Sequence, residues 1–207
     1  MLKAATAFAL VLSCVATTAV ADMMATASNG RQVVLHGDGT WEYVLSQPIG
    51  QNLITNGSFE TAPEGLGLTS GIPGWEIVRN NVDVVGAYWQ QVDGRLSVDL
   101  AGTPGAGTIA QNVETIIGQT YEVSFWMAGN PACGNPSKSL RLMLGDGSRY
   151  ADFTFSTQGR SLTNMGWTRQ VFTFVADQPV TRLRFANWGD QQENCGAVID
   201  GVSVVRR

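Results

Sequence analysis

Short stretches in which apolar and polar residues alternate follow one another from residue 52 onward. In residues 121–127 the apolar side consists of Tyr121, Val123, Phe125 and Met127. A period of two is typical of half-buried antiparallel strands, and turn sequences separate the stretches at fairly regular spacing. The predicted strands are residues 75–78, 82–85, 96–100, 108–113, 121–127, 140–144, 150–155, 170–175, 181–185 and 197–205. No window outside the first residues has a convincing helical period, so the pattern predicts an all-β sandwich or jelly roll.

A smaller unit is predicted ahead of this domain. Asn29-Gly30 and Asp38-Gly39 are hairpin-turn dipeptides between short alternating segments. We therefore predict a small β-meander over residues 22–46, a linker over residues 47–51 and the sandwich domain over residues 52–207. Three such short strands are marginally stable alone, so we expect the meander to dock on the sandwich or on a protein partner.

The first 21 residues are typical of an export signal. Lys3 supplies the positive charge, residues 4–15 the apolar segment and Ala19-Val20-Ala21 a cleavage site of small residues. We expect cleavage before Asp22 and a secreted or periplasmic protein. The apolar run is too short and too rich in alanine for a membrane-spanning helix. A lipoprotein anchored through Cys14 is the less favoured alternative, because that cysteine lies very early for such a site.

Composition narrows the classes of partner. Hydrophobic residues make up 44% of the chain and charged residues 14%, with 24 glycines and a formal net charge of −4. The lysines are Lys3 and Lys138, and no basic stripe is present. Nucleic acid is therefore not an expected partner.

Catalysis is not expected of the main domain. The single histidine, His36, lies in the N-terminal hairpin, which removes Ser-His-Asp, Cys-His and histidine-based zinc sites from the sandwich. A glycosidase needs two facing carboxylates, and no pair is marked by spacing or context. The sequence indicates a non-catalytic protein.

The two cysteines that remain after signal removal are Cys133 and Cys195, and both lie in loop-like sequence. In an oxidising compartment a disulfide between them is favoured over two unrelated buried thiols.

Two carboxylates stand in apolar surroundings near the two ends of the main domain. Glu60 follows Phe59, and Asp200 lies inside the last predicted strand. A carboxylate in such a place is costly unless it is paired or bound to metal. We expect the two ends to meet and to share a hard cation, calcium first. The alternative is that Glu60 caps turn amides while Asp200 pairs with an arginine.

A series of short motifs runs in order through the main domain. The motifs are residues 52–60 (Asn-Leu-Ile-Thr-Asn-Gly-Ser-Phe-Glu), 74–75, 81–86, 88–89, 93–94, 96–100, 118–121, 128–131, 153–155 and 164–167. The series resembles the choice-of-anchor C proteins of bacteria. That family is close to the plant cell-wall group known as domain-of-unknown-function family 642 (DUF642), whose Cys-Gly-Pro-Val-Ile-Asp stretch is similar to residues 195–200 here.

The resemblance implies a galactose-binding-like jelly roll, a fold that includes calcium-bearing carbohydrate-binding modules. It adds the Ser58 carbonyl and Asp93 as further calcium ligands, and it supports the bridge between Cys133 and Cys195. Many choice-of-anchor C proteins carry a C-terminal sorting tail with a hydrophobic helix. The sequence here departs from that pattern, because it ends at residues 204–207. We therefore expect a freely soluble protein.

Aromatic and basic residues suggest where a sugar would bind. Sugar-binding sandwiches use exposed indoles as stacking surfaces, and we expect Trp89 and Trp188 to serve so, with Tyr88 and Trp167 as further candidates. Core packing is the usual alternative for any tryptophan. Arginines on alternating strands form either a solvated outer face or a grip for anionic sugars; these are Arg141, Arg182 and Arg184.

These features together predict an exported, non-catalytic protein that binds envelope, matrix or plant-wall polysaccharide. The alternative is a structural or adhesive surface protein that makes protein–protein contacts, for which the N-terminal hairpin is the candidate surface.

Overall fold

The computed structural model of the protein describes residues 22–26, 32–44, 47–133, 135–189 and 194–207. The predicted export signal, Cys14 and the Asn29-Gly30 turn lie outside the described residues. The chain divides into two compact units, Met1–Ser46 and Gln47–Arg207. Within the described residues no helix is long and apolar enough to cross a membrane.

The first unit is a three-stranded antiparallel sheet of β1 (Met23–Thr26), β2 (Gln32–Leu35) and β3 (Trp41–Tyr43), in that order. The turn between β2 and β3 lies at the predicted Asp38-Gly39 dipeptide. Asp38 Oδ1 accepts hydrogen bonds from the Thr40 amide at 2.9 Å and from the Thr40 hydroxyl at 2.6 Å. Gly39 has a φ of 87°, a conformation that glycine adopts without a steric penalty. Local turn chemistry therefore sets this hairpin.

The second unit is built from short strands. They are β4 (Gly65–Leu68), β5 (Glu76–Arg79), β6 (Val82–Val85), β7 (Ser97–Asp99), β8 (Ala101–Gly102), β9 (Gly105–Ala106), β10 (Thr108–Glu114), β11 (Thr120–Gly129), β12 (Ser137–Leu144), β13 (Arg149–Ser156), β14 (Thr168–Val175), β15 (Val180–Asn187) and β16 (Ala197–Arg206). A five-stranded sheet has the order β13-β12-β15-β10-β5, and a six-stranded sheet has the order β14-β11-β16-β7-β6-β4. Strands β8 and β9 form a small ribbon. The predicted all-β sandwich is confirmed.

The core lies between the two sheets, where the alternating apolar residues of each meet. Phe125 of β11 and Phe185 of β15 are almost completely buried, and their ring centroids lie 5.0 Å apart. Since side chains alternate along a strand, Arg182 and Arg184 of β15 point away from this core. The outer face of the five-stranded sheet therefore carries these arginines.

The two ends of the domain meet, as expected. The Leu53 amide donates to the Val204 carbonyl at 2.8 Å, and the Val202 amide donates to the Gly57 carbonyl at 2.9 Å. A side chain at position 57 would collide with the Val202 carbonyl, so only glycine allows this close approach. The segment 52–60 is thereby held against β16.

Residues 47–51, predicted as a linker, belong to the second unit. Gln47 is buried, and its side-chain oxygen accepts a 2.6 Å hydrogen bond from the Tyr121 hydroxyl. The Gly50 amide donates to the Arg206 carbonyl at 3.1 Å. These contacts attach the start of the unit to β11 and β16.

Candidate functional site

The first candidate site is the carboxylate cluster of Glu60, Asp93 and Asp200. Glu60 Oε1 accepts hydrogen bonds from the amides of Arg95 and Leu96, both at 2.7 Å. Asp200 is fully buried; its Oδ2 accepts from the Asp93 amide at 3.0 Å and its Oδ1 from its neighbouring amide, Gly201, at 2.6 Å. Glu60 thus caps turn amides, as the alternative interpretation held, but Asp200 is bound to backbone amides rather than to an arginine.

The electrostatics of the cluster are unfavourable without a counter-charge. Burial raises the pKa of Asp200 to about 7, amide hydrogen bonds from Asp93 and Gly201 lower it, and the negative charges of Asp93 and Glu60 raise it. Among the ion pairs of the described residues, none includes Glu60, Asp93 or Asp200. The donors are all oxygens, which is the chemistry that calcium prefers.

Two observations bear on a metal at this cluster. In the part of the chain that the structure describes, no group of three or more His, Cys, Asp or Glu side chains is arranged to hold a metal ion. Ser58 lies in the tight turn that the Phe59 amide closes by donating to the Asn56 carbonyl at 3.2 Å. A bound ion would therefore need the three carboxylates to move closer together and backbone oxygens to complete its shell.

The tryptophans divide into core and surface residues. Trp89 is 5% exposed, and its indole N–H donates to the Ser97 hydroxyl at 2.9 Å, so the expectation that it is an exposed stacking surface is wrong. Trp167 packs against the core and donates to the Gln90 carbonyl at 2.9 Å, which gives it a structural role. The sequence places Trp89 beside the exposed Tyr88 but carries no signal of which of the two rings is inside.

Tyr88 lies at the second candidate site, which we call the loop pocket. This pocket has a volume of about 460 Å³ and is lined mainly by β4, β6 and the loops around them, including Glu64, Asp83, Tyr88, Thr103 and Asn130. The acidic groups in it already have partners. Asp83 Oδ1 accepts from the Gly67 amide at 2.6 Å and from the Thr103 amide at 3.0 Å. The pocket is therefore a largely apolar recess with its buried polar groups satisfied.

The disulfide between Cys133 and Cys195 lies beside the loop pocket, and the two Cα atoms are 5.7 Å apart. The bridge is of the kind found in exported proteins. Lys138 is buried, and its ammonium donates to the Cys195 carbonyl at 2.8 Å. Burial lowers the pKa of Lys138. Together these contacts fix the chain where it enters β16.

Asp99 is a buried carboxylate that the sequence interpretation missed. Its Oδ1 accepts from the amides of Ala101 at 2.9 Å and Gly196 at 3.0 Å, and its Oδ2 accepts from Asn130 Nδ2 at 2.9 Å. Burial raises its pKa to about 7, although these hydrogen bonds lower it. The signal was present in the sequence, since an aspartate inside the apolar run 96–100 is as unusual as Asp200.

The third candidate site is the outer face of the five-stranded sheet. Arg141 Cζ lies 3.8 Å from the ring centroid of Trp188 and 3.9 Å from that of Tyr150. Trp188 is 40% exposed and Tyr150 is 50% exposed. Two hydrogen bonds to Asp152, at 2.6 and 2.7 Å, fix the guanidinium. We call Tyr150, Arg141 and Trp188 the aromatic platform.

A groove of about 350 Å³ runs beside the aromatic platform. It is lined by Val78, Arg79, Thr108, Met143, Arg182, Arg184, Ala186 and Trp188. Arg182 forms an ion pair with Glu76 at 2.5 Å, and Arg184 donates to the Gly145 carbonyl at 3.0 Å. The three arginines expected from the sequence thus share one face. Tyr150 of β13 and Arg79 of β5 lie on the same face as these arginines. The sequence offers no reason to group them, because they lie on strands whose pairing it does not reveal.

The main domain is similar to known proteins in sequence and in fold. A family model described as "Protein of unknown function (DUF642)" matches residues 52–205. Halomucin of Haloquadratum walsbyi is 30% identical over 165 residues, which cover 74% of this chain and 2% of halomucin. The Arabidopsis thaliana protein DUF642 L-galactono-1,4-lactone-responsive gene 2 is 29% identical over 185 residues, which cover 77% of this chain and 47% of that protein. The chain thus spans less than half the length of either relative.

Among solved structures, a family 61 carbohydrate-binding module in complex with β-1,4-galactotriose is similar, with a TM-score of 0.51 and 18% identity. The match covers 76% of this chain and 100% of the module. At this identity the likeness is one of fold. The two-sheet architecture described above is therefore that of a carbohydrate-binding module.

Proposed function

Since the chain belongs to the DUF642 family and its sandwich has the fold of a carbohydrate-binding module, we propose that it is an exported, non-catalytic protein that binds polysaccharide. Its polysaccharide is that of an envelope, a matrix or a plant wall. The signal peptide is cleaved before Asp22 in this proposal, and the mass of the mature protein tests that point. A lipid-modified N-terminus at Cys14 would contradict it.

The aromatic platform is the observation that carries the proposal. A pyranose ring has an apolar face, and an aromatic ring held in one orientation contributes contact area at low entropic cost. Arg141 stacks with both rings of the platform, and the Asp152 carboxylate holds the Arg141 guanidinium in place through an ion pair. Trp188 also borders the groove. A sugar that stacks on Trp188 would therefore have hydrogen-bond donors from the groove arginines within reach.

A glycan array with the purified full-length protein tests this proposal. We expect binding to one class of polysaccharide and a loss of about 5- to 30-fold in affinity for Trp188→Ala, since a lost stacking contact costs on the order of 1–2 kcal/mol. Trp167→Phe is the matched control, because it removes an indole that packs against the core away from the groove lining. Absence of any glycan binding would contradict the proposal.

We also propose that Glu60, Asp93 and Asp200, with the Ser58 carbonyl, bind a structural calcium ion. The cluster supports this through its three oxygen donor groups and the lack of a basic partner among the described residues. When bound, calcium would neutralise these carboxylates and link the segment 52–60 to β16. Chelation should then lower the melting temperature, and Asp200→Asn should remove that effect. An unchanged melting temperature on chelation, with no metal in the purified protein, would contradict calcium.

A second candidate function is adhesion through protein–protein contacts. The first unit favours it, because Met23, Leu35 and Trp41 form one row across the three strands and are exposed, Met23 by 60% and Trp41 by 57%. Exposed apolar clusters mark interaction surfaces. Self-association or partner capture that is lost with Trp41→Ser, in a protein that binds no glycan, would favour this function over the first.

A further inference from the structure

The strand register shows how the groove on the five-stranded sheet is built. One row of paired residues crosses all five strands: Arg79, Thr108, Ala186, Arg141 and Asp152. The two central positions carry small side chains, and arginines stand on both sides of them. With strands about 4.8 Å apart, the Cα atoms of Arg79 and Arg141 are separated by roughly 14 Å. The row therefore forms a trough with a floor of Thr108 and Ala186.

The neighbouring outward-facing row continues the trough along the strands. It runs through Glu76, Ala110, Arg184, Met143 and Tyr150. Ala110 continues the floor of small residues, and Arg184 enters the trough from β15. The trough thus extends along β10 and β15, with Arg79 on one side and the aromatic platform on the other.

The charges along the trough do not cancel. Arg141 is paired with Asp152, and Arg182 is paired with Glu76. Arg79 is exposed, and its side chain forms no hydrogen bond or ion pair with the described residues. Arg184 donates to the Gly145 carbonyl. Hydrogen bonds from Ser148 lower the pKa of Asp146 and the charge of Arg184 lowers it further, but Asp146 and Arg184 form no ion pair. Among the residues that the structure describes, the trough therefore carries excess positive charge, on a chain whose formal net charge is −4.

We propose that this trough binds a carboxylate-bearing polysaccharide, with a uronate ring against Trp188 and its carboxylate at Arg79 and Arg184. The inference rests on the proposed function and names its substrate class. A guanidinium matches a carboxylate through two parallel hydrogen bonds, and such charge-assisted pairs are roughly twice as strong as neutral ones. A neutral sugar would leave the charge of Arg79 uncompensated in the groove. The local excess of positive charge also attracts a polyanion that the rest of this acidic chain repels.

Two forms of one glycan test the inference: oligogalacturonate and its fully methyl-esterified form, titrated separately in low and moderate salt. The backbone is the same, and the ester differs from the acid by the lost carboxylate charge and one added methyl group per ring; the salt dependence isolates the charge. We expect the acid to bind at least about 10-fold more tightly than the ester, with a difference that shrinks as salt rises. Arg79→Gln should remove most of that difference without affecting folding, because Arg79 has no partner to lose. Arg184→Gln should act in the same direction.

Arg169→Gln is the matched control for charge. Arg169 lies on β14 of the other sheet, and the Glu122 carboxylate that it contacts at 3.4 Å keeps its 2.7 Å partner Arg207. We expect this variant to bind like the unmodified protein. A loss equal to that of Arg79→Gln would show that net charge alone drives binding and would overturn the inference.

The failures of the two proposals are distinguishable. If the ester or another neutral glycan binds as tightly as the acid and Trp188→Ala still weakens it, the carboxylate assignment is wrong and sugar binding stands. If a sulfated glycan of equal length binds as tightly as oligogalacturonate, the trough selects charge rather than carboxylate and the assignment is also wrong. If no glycan binds, the proposed function itself fails.

Discussion

Breaking the bridge between Cys133 and Cys195 should strongly destabilise the sandwich. The two cysteines are 62 residues apart. In the chain-entropy description of cross-links, a loop of that length removes roughly 14 cal/mol/K from the unfolded chain, which is about 4 kcal/mol at 25 °C. That loss is a large part of the stability of a typical domain, which is roughly 5–15 kcal/mol.

The variant for this test is Cys133→Ala with Cys195→Ala. Alanine is preferred because Cys195 is only 4% exposed, where a serine hydroxyl would need a new hydrogen-bond partner. Urea unfolding should give a lower midpoint and a steeper dependence on urea, since the unfolded variant is free to expand further. The melting temperature should fall by about 8–16 °C for a domain of this size.

The unmodified protein in reducing agent is the control for the side-chain change. It should move to the midpoint of the double-alanine variant, and the variant should not respond to reductant. An unfolding free energy within about 1 kcal/mol of the unmodified protein would refute the argument, because the loop would then already be constrained in the unfolded chain.

Two further predictions concern buried polar groups. The pKa of Asp99 is about 7 when folded and about 3.9 in an unfolded chain, so between these pH values the folded state holds a proton that the unfolded state has lost. Raising the pH from 4 to 7 should therefore lower the free energy of unfolding, and the share of Asp99 in this loss is roughly 4 kcal/mol at most. Asp200, whose pKa is also raised to about 7, acts in the same direction. Asp99→Asn should remove the share of Asp99 from the urea-unfolding profile, and an unchanged profile in the variant would exclude Asp99 as a source. Tyr121→Phe should lower the free energy of unfolding, measured in urea, by about 1–3 kcal/mol. The buried Tyr121 hydroxyl donates to Gln47 Oε1 and accepts from the Ile116 amide, and a change near zero would mean that water replaces it.

Strands with strong local patterns were predictable from the sequence. The strand predicted at residues 82–85 is found as Val82–Val85, and that predicted at 181–185 is found within Val180–Asn187. Strand β4 was not predicted, because Gly65 and Gly67 give it little propensity. It exists because it pairs with β6, a contact that no local pattern reports. The similarity to DUF642 seen in the motifs is confirmed by the family model, and membership of the choice-of-anchor C group stays a prediction.

The candidate sites depend on contacts that are distant in sequence. The meeting of residues 52–60 with β16 was predictable, because each segment has a carboxylate in apolar surroundings and one shared cation would neutralise both. The trough was not predictable, since its arginines become neighbours only through the strand order β12-β15-β10-β5. Burial of Trp89 was equally hidden, because its polar sequence neighbours give no information on the Ser97 side chain that holds its indole.

Strand β16 also determines when this domain can fold. It lies between β11 and β7, so each of these strands lacks a hydrogen-bonding neighbour until residues 197–206 have been synthesised. In a ribosome-bound chain that stops before this point, the strands β14-β11 and β7-β6-β4 are not joined to each other. The contacts that join them through β16 are distant in sequence. The six-stranded sheet therefore cannot be completed until β16 emerges from the ribosome.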